Sequence, residues 1–268
     1  MTTRNARFQQ WQASLSNRTK RQRSGEFLVH GVRPVSLAVK HGWPIRALLY
    51  NADTTLSGWA SDILRNVDAL RVAMAPELLQ ELGGKADETP ELIAVAGIQP
   101  DTLSRIGVDA EFLGVVFDRP TSPGNIGSLV RSVDAFGGHG VIVTGHAADP
   151  YDPKAIRGST GSLFAVPVVR VPAHRDVLEW VSQIRGDGVP ISVVGTDEHG
   201  DTDIADHDFR QPTLVVVGNE TTGMSAGWRE ACDHMVRIPM SGSASSLNAA
   251  NAGTVVLYEA ARQRAGGR

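Results

Sequence analysis

The chain has 268 residues, 41% of them hydrophobic and 21% charged, with a formal net charge of −3. That is enough apolar material for a sizeable core in one or two domains, and the charge excludes a generic polyanion binder. A single cysteine, Cys232, excludes an intrachain disulfide and a thiolate cluster; with no membrane-length apolar run and no signal-peptide core, the expectation is a reducing cytoplasm and no membrane partner.

The net charge hides an asymmetry. Residues 1–24 hold Arg4, Arg7, Arg18, Lys20, Arg21 and Arg23 and no acid, so −9 remains on residues 25–268. A basic amino-terminal arm on an acidic body suggests phosphate contacts, and these six cations are the candidate RNA-binding residues. The plainer reading is a solvated tail. Within the arm, Phe8, Trp11 and Leu15 fall on one stripe of a helix predicted over Ala6 to Leu15, followed by a polar basic link.

From Glu26 strands and helices alternate. Strands are predicted at Phe27 to Val29, Ile45 to Tyr50, Leu70 to Val72 and Leu92 to Ala96. Helices are predicted at Val32 to Lys40, Leu56 to Val67 and Pro76 to Leu82, the last closed by Gly83-Gly84. This makes residues 25–97 a small α/β domain with both sheet faces covered and no catalytic candidate. Residues 98–108 read as a linker, and residues 109–268 as a second domain.

The second domain opens on Phe112 to Phe117, a continuous apolar run typical of a strand buried on both faces. A loop with two prolines follows, then a helix over about Ile126 to Phe136 and a strand at Gly140 to Thr144, a βαβ unit. Lys154 to Leu163 and Val177 to Ile184 read as helices, with Trp180 inward. Val166 to Val171 and Ile191 to Gly195 read as strands. Asp197 to Asp208 is acidic; His199 and His207 there suggest metal binding, but the irregular spacing favours a solvated loop. Cys232 and His234 have no second pair to complete a metal site, so no metal is expected. Strands at Leu214 to Val217 and Met235 to Ile238 flank a helix over Met224 to Cys232. The last helix runs from about Leu247 to Arg264, with Ser245 or Ser246 as N-cap and Asn248 and Asn251 inside it on one face.

Three loops leave the carboxyl ends of apolar strands and enter helices: Asp118 to Gly127, Val217 to Ser225 and Ile238 to Asn248. That edge of an open α/β sheet is where ligands bind. The loops supply Asn125 and Arg131, then Glu220, then Ser246 and Asn248. No His or Cys partner makes these a hydrolase triad, and Gly124-Asn125-Ile126-Gly127 is not a dinucleotide fingerprint.

The loops resemble the signature motifs of the SpoU (TrmH) family of SPOUT methyltransferases. The first is Asn125-Ile126-Gly127-Ser128-Leu129-Val130-Arg131 through Phe136-Gly137. The second is Gly218-Asn219-Glu220 to Gly223-Met224-Ser225. The third is Ile238-Pro239-Met240 with Ser246-Leu247-Asn248. The resemblance covers about Phe112 to Ala261. Glu26-Phe27-Leu28-Val29-His30-Gly31 to Tyr50 also resembles the family's ribosomal-protein-like substrate-binding domain.

The resemblance implies a small α/β RNA-binding domain followed by an α/β methyltransferase domain with a parallel sheet and a carboxy-terminal trefoil knot. It implies S-adenosylmethionine as methyl donor, a ribose 2′-hydroxyl of RNA as acceptor, and a homodimer completing the site. Structured ribosomal RNA is favoured over transfer RNA because of the additional amino-terminal domain. Carried over by position, Arg131, Asn125, Glu220, Ser246 and Asn248 match the catalytic and substrate-side positions. Gly218, Ile238, Met240 and Leu247 match those surrounding the cofactor. Thr221-Thr222 replaces a common Gly, and Ala249-Ala250-Asn251 departs from the usual sequence after Asn248.

In this reading Asn125 and Glu220 orient Arg131. Arg131 acts either as a base with an RNA phosphate shuttling the proton, or electrostatically at the developing alkoxide. The alternatives are a transfer RNA 2′-O-methyltransferase, a base methyltransferase, an inactive RNA-binding protein and a dinucleotide-dependent oxidoreductase.

Overall fold

The computed structural model describes residues 1–84 and 89–266. The chain forms two compact units. One comprises residues 1–99 and 151–165, the other residues 100–150 and 166–268.

The first unit starts with two helices, α1 (Ala6–Ser16) and α2 (Arg18–Ser24). The predicted polar link is therefore helical. Asn17 caps α2 by accepting from the Lys20 N–H at 3.1 Å, and Gly25 at φ +66° ends it. Periodicity misses α2 because the residue it buries is Arg21. Its guanidinium donates to the Ser14 carbonyl at 2.7 Å and lies 3.4 Å from the Asp152 carboxylate.

Strands β1 (Glu26–His30), β2 (Ile45–Asn51), β3 (Leu70–Met74) and β4 (Leu92–Gly97) follow, with helices α3 (Val32–Lys40), α4 (Gly58–Asn66) and α5 (Pro76–Gly83) between them. The sheet order is β1-β4-β2-β3. Strand β4 is antiparallel to both neighbours, and β2 and β3 are parallel. Phe8 and Trp11 are fully buried with Leu28, Leu49, Leu79 and Ile93. Residues 1–24 thus belong to this unit, anchored in its core by Phe8 and Trp11, and are not a separate arm.

Residues 151–165 also belong here, although the expected boundary assigned them to the second domain. Helix α7 (Pro153–Ser159) and the turn after it bring Tyr151 and Phe164 onto Phe27 and Trp43. The Trp43 indole donates to the Phe164 carbonyl at 2.9 Å. A burial match between distant aromatic residues leaves no periodic signal in the sequence.

The second unit is a seven-stranded, wholly parallel sheet. Its strands are β5 (Leu113–Asp118), β6 (Gly140–Thr144), β7 (Val168–Val171), β8 (Ser192–Thr196), β9 (Thr202–Asp203), β10 (Thr213–Val217) and β11 (His234–Arg237). Its helices are α6 (Pro123–Ala135), α8 (His174–Gly186), α9 (Ala226–Ala231) and α10 (Ala249–Gly266). Strands β5, β6 and β10 are buried along their whole length, as their unbroken apolar runs require. The acidic stretch is not simply a loop: it contributes edge strand β9, and Asp197 pairs with Arg229 at 2.7 Å. Ile106, in the expected linker, is buried in this unit's core.

The sheet order is β7-β6-β5-β10-β8-β11-β9. Going outward from β5 the chain runs to β6 and β7 on one side. The other side is built by β10, β8, β11 and β9. The strand order therefore reverses at the β5–β10 pair. Loops leaving adjacent strands at such a reversal diverge and leave a crevice between them.

Candidate active site

The β5–α6 loop and the β10–α9 loop meet at this crevice. The Glu220 carboxylate reaches across and accepts four hydrogen bonds. The Thr121 N–H and hydroxyl donate to it at 2.9 and 3.0 Å, the Ser122 N–H at 3.3 Å and the Asn125 side-chain amide at 2.9 Å. Desolvation pushes this carboxyl up, but the Thr121 and Asn125 donors outweigh it and hold Glu220 below the usual carboxylate range.

Asn125 faces both ways. Its amide nitrogen donates to Glu220, and its amide oxygen accepts from the Asn248 side chain at 3.2 Å. One residue from each of the three loops thus forms a continuous chain, Glu220–Asn125–Asn248. Asn248 is also the N-cap of α10, accepting from the N–H groups of Ala250 (3.0 Å) and Asn251 (3.3 Å). This corrects the expected cap at Ser245 or Ser246. Asn248 is not an interior helix residue, and Asn is among the favoured cap residues.

The Glu220 loop has its own scaffold. Asn219 accepts from the Thr221 and Thr222 N–H groups at 2.8 and 3.0 Å, a local Asx turn. Its backbone exchanges two hydrogen bonds with Gly223, which sits at φ +65°. Thr221 and Thr222 are exposed on this turn. Only glycine fits at position 218, because a Cβ there would lie 2.4 Å from the Met224 backbone nitrogen.

Sequence reasoning missed the residues under this loop. Asp118, buried at the end of β5, accepts from the Ser225 N–H at 2.8 Å and the Thr144 hydroxyl at 3.1 Å. Arg119 donates to the Gly223 carbonyl at 3.2 Å, and its own carbonyl accepts from Asn219 at 2.6 Å. Arg119 has φ +51°, unusual for a non-glycine residue. A polar pair ending an apolar strand was the available signal.

Arg131 lies on the exposed side of α6, six residues after Asn125. No hydrogen bond or ion pair joins it to Asn125 or Glu220, so those residues orient each other and Asn248, not Arg131 as expected.

Beside Glu220 a hollow of about 440 Å³ is lined by Thr196, Gly218, Glu220, Ser246 and Leu247 among others. An apolar slot lined by Val236, Ile238, Met240 and Leu247 adjoins it, sharing Ser246 and Leu247. All four expected cofactor positions, Gly218, Ile238, Met240 and Leu247, are therefore on these two walls, with Ser246 beside them. Met240 and Leu247 are large apolar side chains left 39% exposed at the opening. Apolar walls with Ser246, Glu198 and Glu220 at their polar edge suit a ligand that is part apolar and part charged.

Residues 113–258 match the SpoU rRNA Methylase family, and residues 5–94 match the SpoU L30e-like domain. The chain belongs to the SpoU rRNA methylase family. It is 63% identical over all 268 residues to the 23S rRNA (uridine(2479)-2′-O)-methyltransferase of Streptomyces viridochromogenes, covering 93% of that protein. It is similar in structure to the SpoU methyltransferase AviRb from the same organism in complex with AdoMet: TM-score 0.95, 63% identity, 99% of this chain and 100% of that one. An AdoMet-bound rRNA methyltransferase from Sinorhizobium meliloti matches at TM-score 0.84 and 26% identity, covering 98% of this chain and 97% of that one.

Within this SpoU methylase the six amino-terminal cations have different fates. Arg4 pairs with Glu81, and Arg7 lies 3.8 Å from Glu26 and over the Trp11 ring. Arg18 already has a partner, and Arg21 is buried. Burial excludes Arg21 from the phosphate-contacting role expected of it. Lys20 and Arg23 are exposed.

Proposed function

We propose that this chain transfers the methyl group of S-adenosylmethionine to a uridine ribose 2′-hydroxyl in 23S ribosomal RNA. The reaction rests on the Glu220–Asn125–Asn248 chain, which brings the three family loops together beside the hollow lined by Gly218, Ser246 and Leu247. The acceptor rests on end-to-end similarity to the Streptomyces 23S rRNA enzyme.

Gly218, Ile238, Met240 and Leu247 hold the cofactor. When bound, it supplies an electrophilic methyl group on a sulfonium. The protein's own contribution is placement and charge. The ionised Glu220 fixes the first loop through its Thr121, Ser122 and Asn125 donors. Asn125 transmits that position to Asn248 at the start of α10. Ser246, on the wall shared by both hollows, is placed to hold a polar group of donor or ribose. Arg131 supplies a positive charge for the RNA phosphate and the developing alkoxide.

The same proposal includes the trefoil knot, the homodimer and the cytoplasmic location, supported by the family resemblance and the composition. Digestion of treated 23S rRNA to nucleosides followed by mass spectrometry tests the reaction. The expected product is 2′-O-methyluridine. A base-methylated nucleoside would overturn the ribose assignment, and modified transfer RNA with ribosomal RNA ignored would overturn the acceptor.

A further inference from the structure

Helices α1 and α2 enclose a groove of about 610 Å³ on the first unit. Its walls are Ala6, Gln9, Gln10 and Ala13 from α1, and Lys20 and Arg23 from α2. Lys20 and Arg23 are three residues apart, so both project from one side of α2. Neither side chain makes an ion pair or hydrogen bond among the described residues. Other cations of this segment are committed elsewhere: Arg4 to Glu81, Arg7 to Glu26, and Arg21 to Asp152 and the Ser14 carbonyl. Among the described residues no acid lines the groove. Two small alanines leave it open. The Gln9 amide nitrogen is tied to the Arg4 carbonyl, while Gln10 offers an amide.

We propose that this groove is an RNA-binding site, with Lys20 and Arg23 on successive phosphates of an unpaired strand and Gln10 facing its bases. The proposal rests on the reading above that the substrate is RNA. Two cations on one wall, neither paired among the described residues, can each take a phosphate, and alanines and amides leave room and polar edges for a nucleobase without demanding one sequence. The groove lies in the unit without catalytic candidates, so it acts on substrate affinity and not on the methyl-transfer step.

The test is the double variant Lys20→Ala/Arg23→Ala, with Lys20→Arg/Arg23→Lys as the charge-keeping control. Both side chains are exposed, so melting should match the parent. Affinity for a protein-free 23S rRNA transcript is measured across a salt series. The slope of log affinity against log salt should become shallower by about 1.4, from two contacts at about 0.7 each. KM for RNA should rise, with kcat at saturating RNA and S-adenosylmethionine affinity unchanged, and the control should restore the parental slope. Parallel lines of equal slope would overturn the proposal. So would weaker turnover on ribosomal particles with unchanged affinity for the bare transcript, which would point to an acidic protein instead. If the parent binds the transcript but methylates no ribosomal RNA, the proposed function fails, while a shallower slope in the variant still supports the groove.

Discussion

Asn125 has one amide and uses both ends of it. The donor end meets a carboxylate and the acceptor end meets another amide, so its orientation is set by chemistry on both sides. Arg131, on the same helix, has no such tether to these groups. Its contribution is expected in the reaction step and not in assembly of the site. Arg131→Ala should therefore lower kcat by about 100-fold or more while leaving S-adenosylmethionine affinity within a few-fold. Calorimetry alongside single-turnover assays separates the two, and an equal loss of cofactor binding would sink this assignment. Glu220 carries a pH signature. Its folded pKa lies below the ordinary value, so its contribution is fully present above the ordinary carboxylate pKa and lost as pH falls through the lowered one. The melting-temperature difference between the parent and Glu220→Gln should be steady near neutrality and shrink in acid. A difference independent of pH would show that the charge is not what holds the loop.

At the scale of elements, the site depends on two adjacent parallel strands, β5 and β10, whose loops diverge where the strand order reverses. The bare backbone at Gly218 lets the second loop turn back against itself. Gly218→Ala forces the Met224 or Gly223 backbone to move, which should cost about 1–3 kcal/mol and weaken S-adenosylmethionine binding about tenfold or more, that is about 1.4 kcal/mol. Unchanged melting and cofactor affinity would show that the loop accommodates a methyl group. Helices α1 and α2 behave differently from the solvated arm that their charge suggests. Phe8 and Trp11 are 0% and 2% exposed. Losing either from a core costs about 3–5 kcal/mol. Deletion of residues 1–24 should thus unfold the first unit, seen as a lost calorimetric transition, and not merely weaken RNA binding. A deletion variant that melts like the parent would contradict the packing described.

At the scale of the molecule, no helix among the described residues is long and apolar enough to cross a membrane. The last helix region carries Leu247, Val255, Val256, Leu257 and Tyr258, more apolar residues than one chain's core obviously needs. Val256 and Leu257 are instead fully buried within their own unit, against the sheet, and Leu247 lies before the helix at the opening of the apolar slot. What remains exposed is Tyr258, at 56%, set edge-on to Phe136 at 5.9 Å. Asn251 and Tyr258, seven residues apart, share the exposed side of α10. The proposed homodimer places this face at the interface. Light scattering at micromolar concentration should give twice the chain mass, and Tyr258→Asp should shift the population toward monomer. A monomeric parent that still methylates RNA would contradict the proposal.

The sequence by itself determined the order and type of most elements, because burial on both faces writes unbroken apolar runs such as Phe112 to Phe117 and Leu214 to Val217. It also identified the three loops, because their Asn, Glu, Gly and Pro residues are poor choices for the elements on either side. The cofactor-side positions Gly218, Ile238, Met240 and Leu247 came from the resemblance of these loops to the SpoU motifs and not from their composition. What only the tertiary structure decided was pairing between residues far apart in the chain. The Glu220 carboxylate meets Asn125 across 95 positions, and Asn248 meets Asn125 across 123. Arg21 is buried because Asp152 and the Ser14 carbonyl stand where its guanidinium ends. Tyr151 to Ala165 leaves the parallel-sheet unit for the other because its aromatic side chains find Phe27 and Trp43. A periodic pattern reports which side of an element faces inward. It carries no information about which distant side chain will be found there, and that is fixed only when the strands take their places in the sheet.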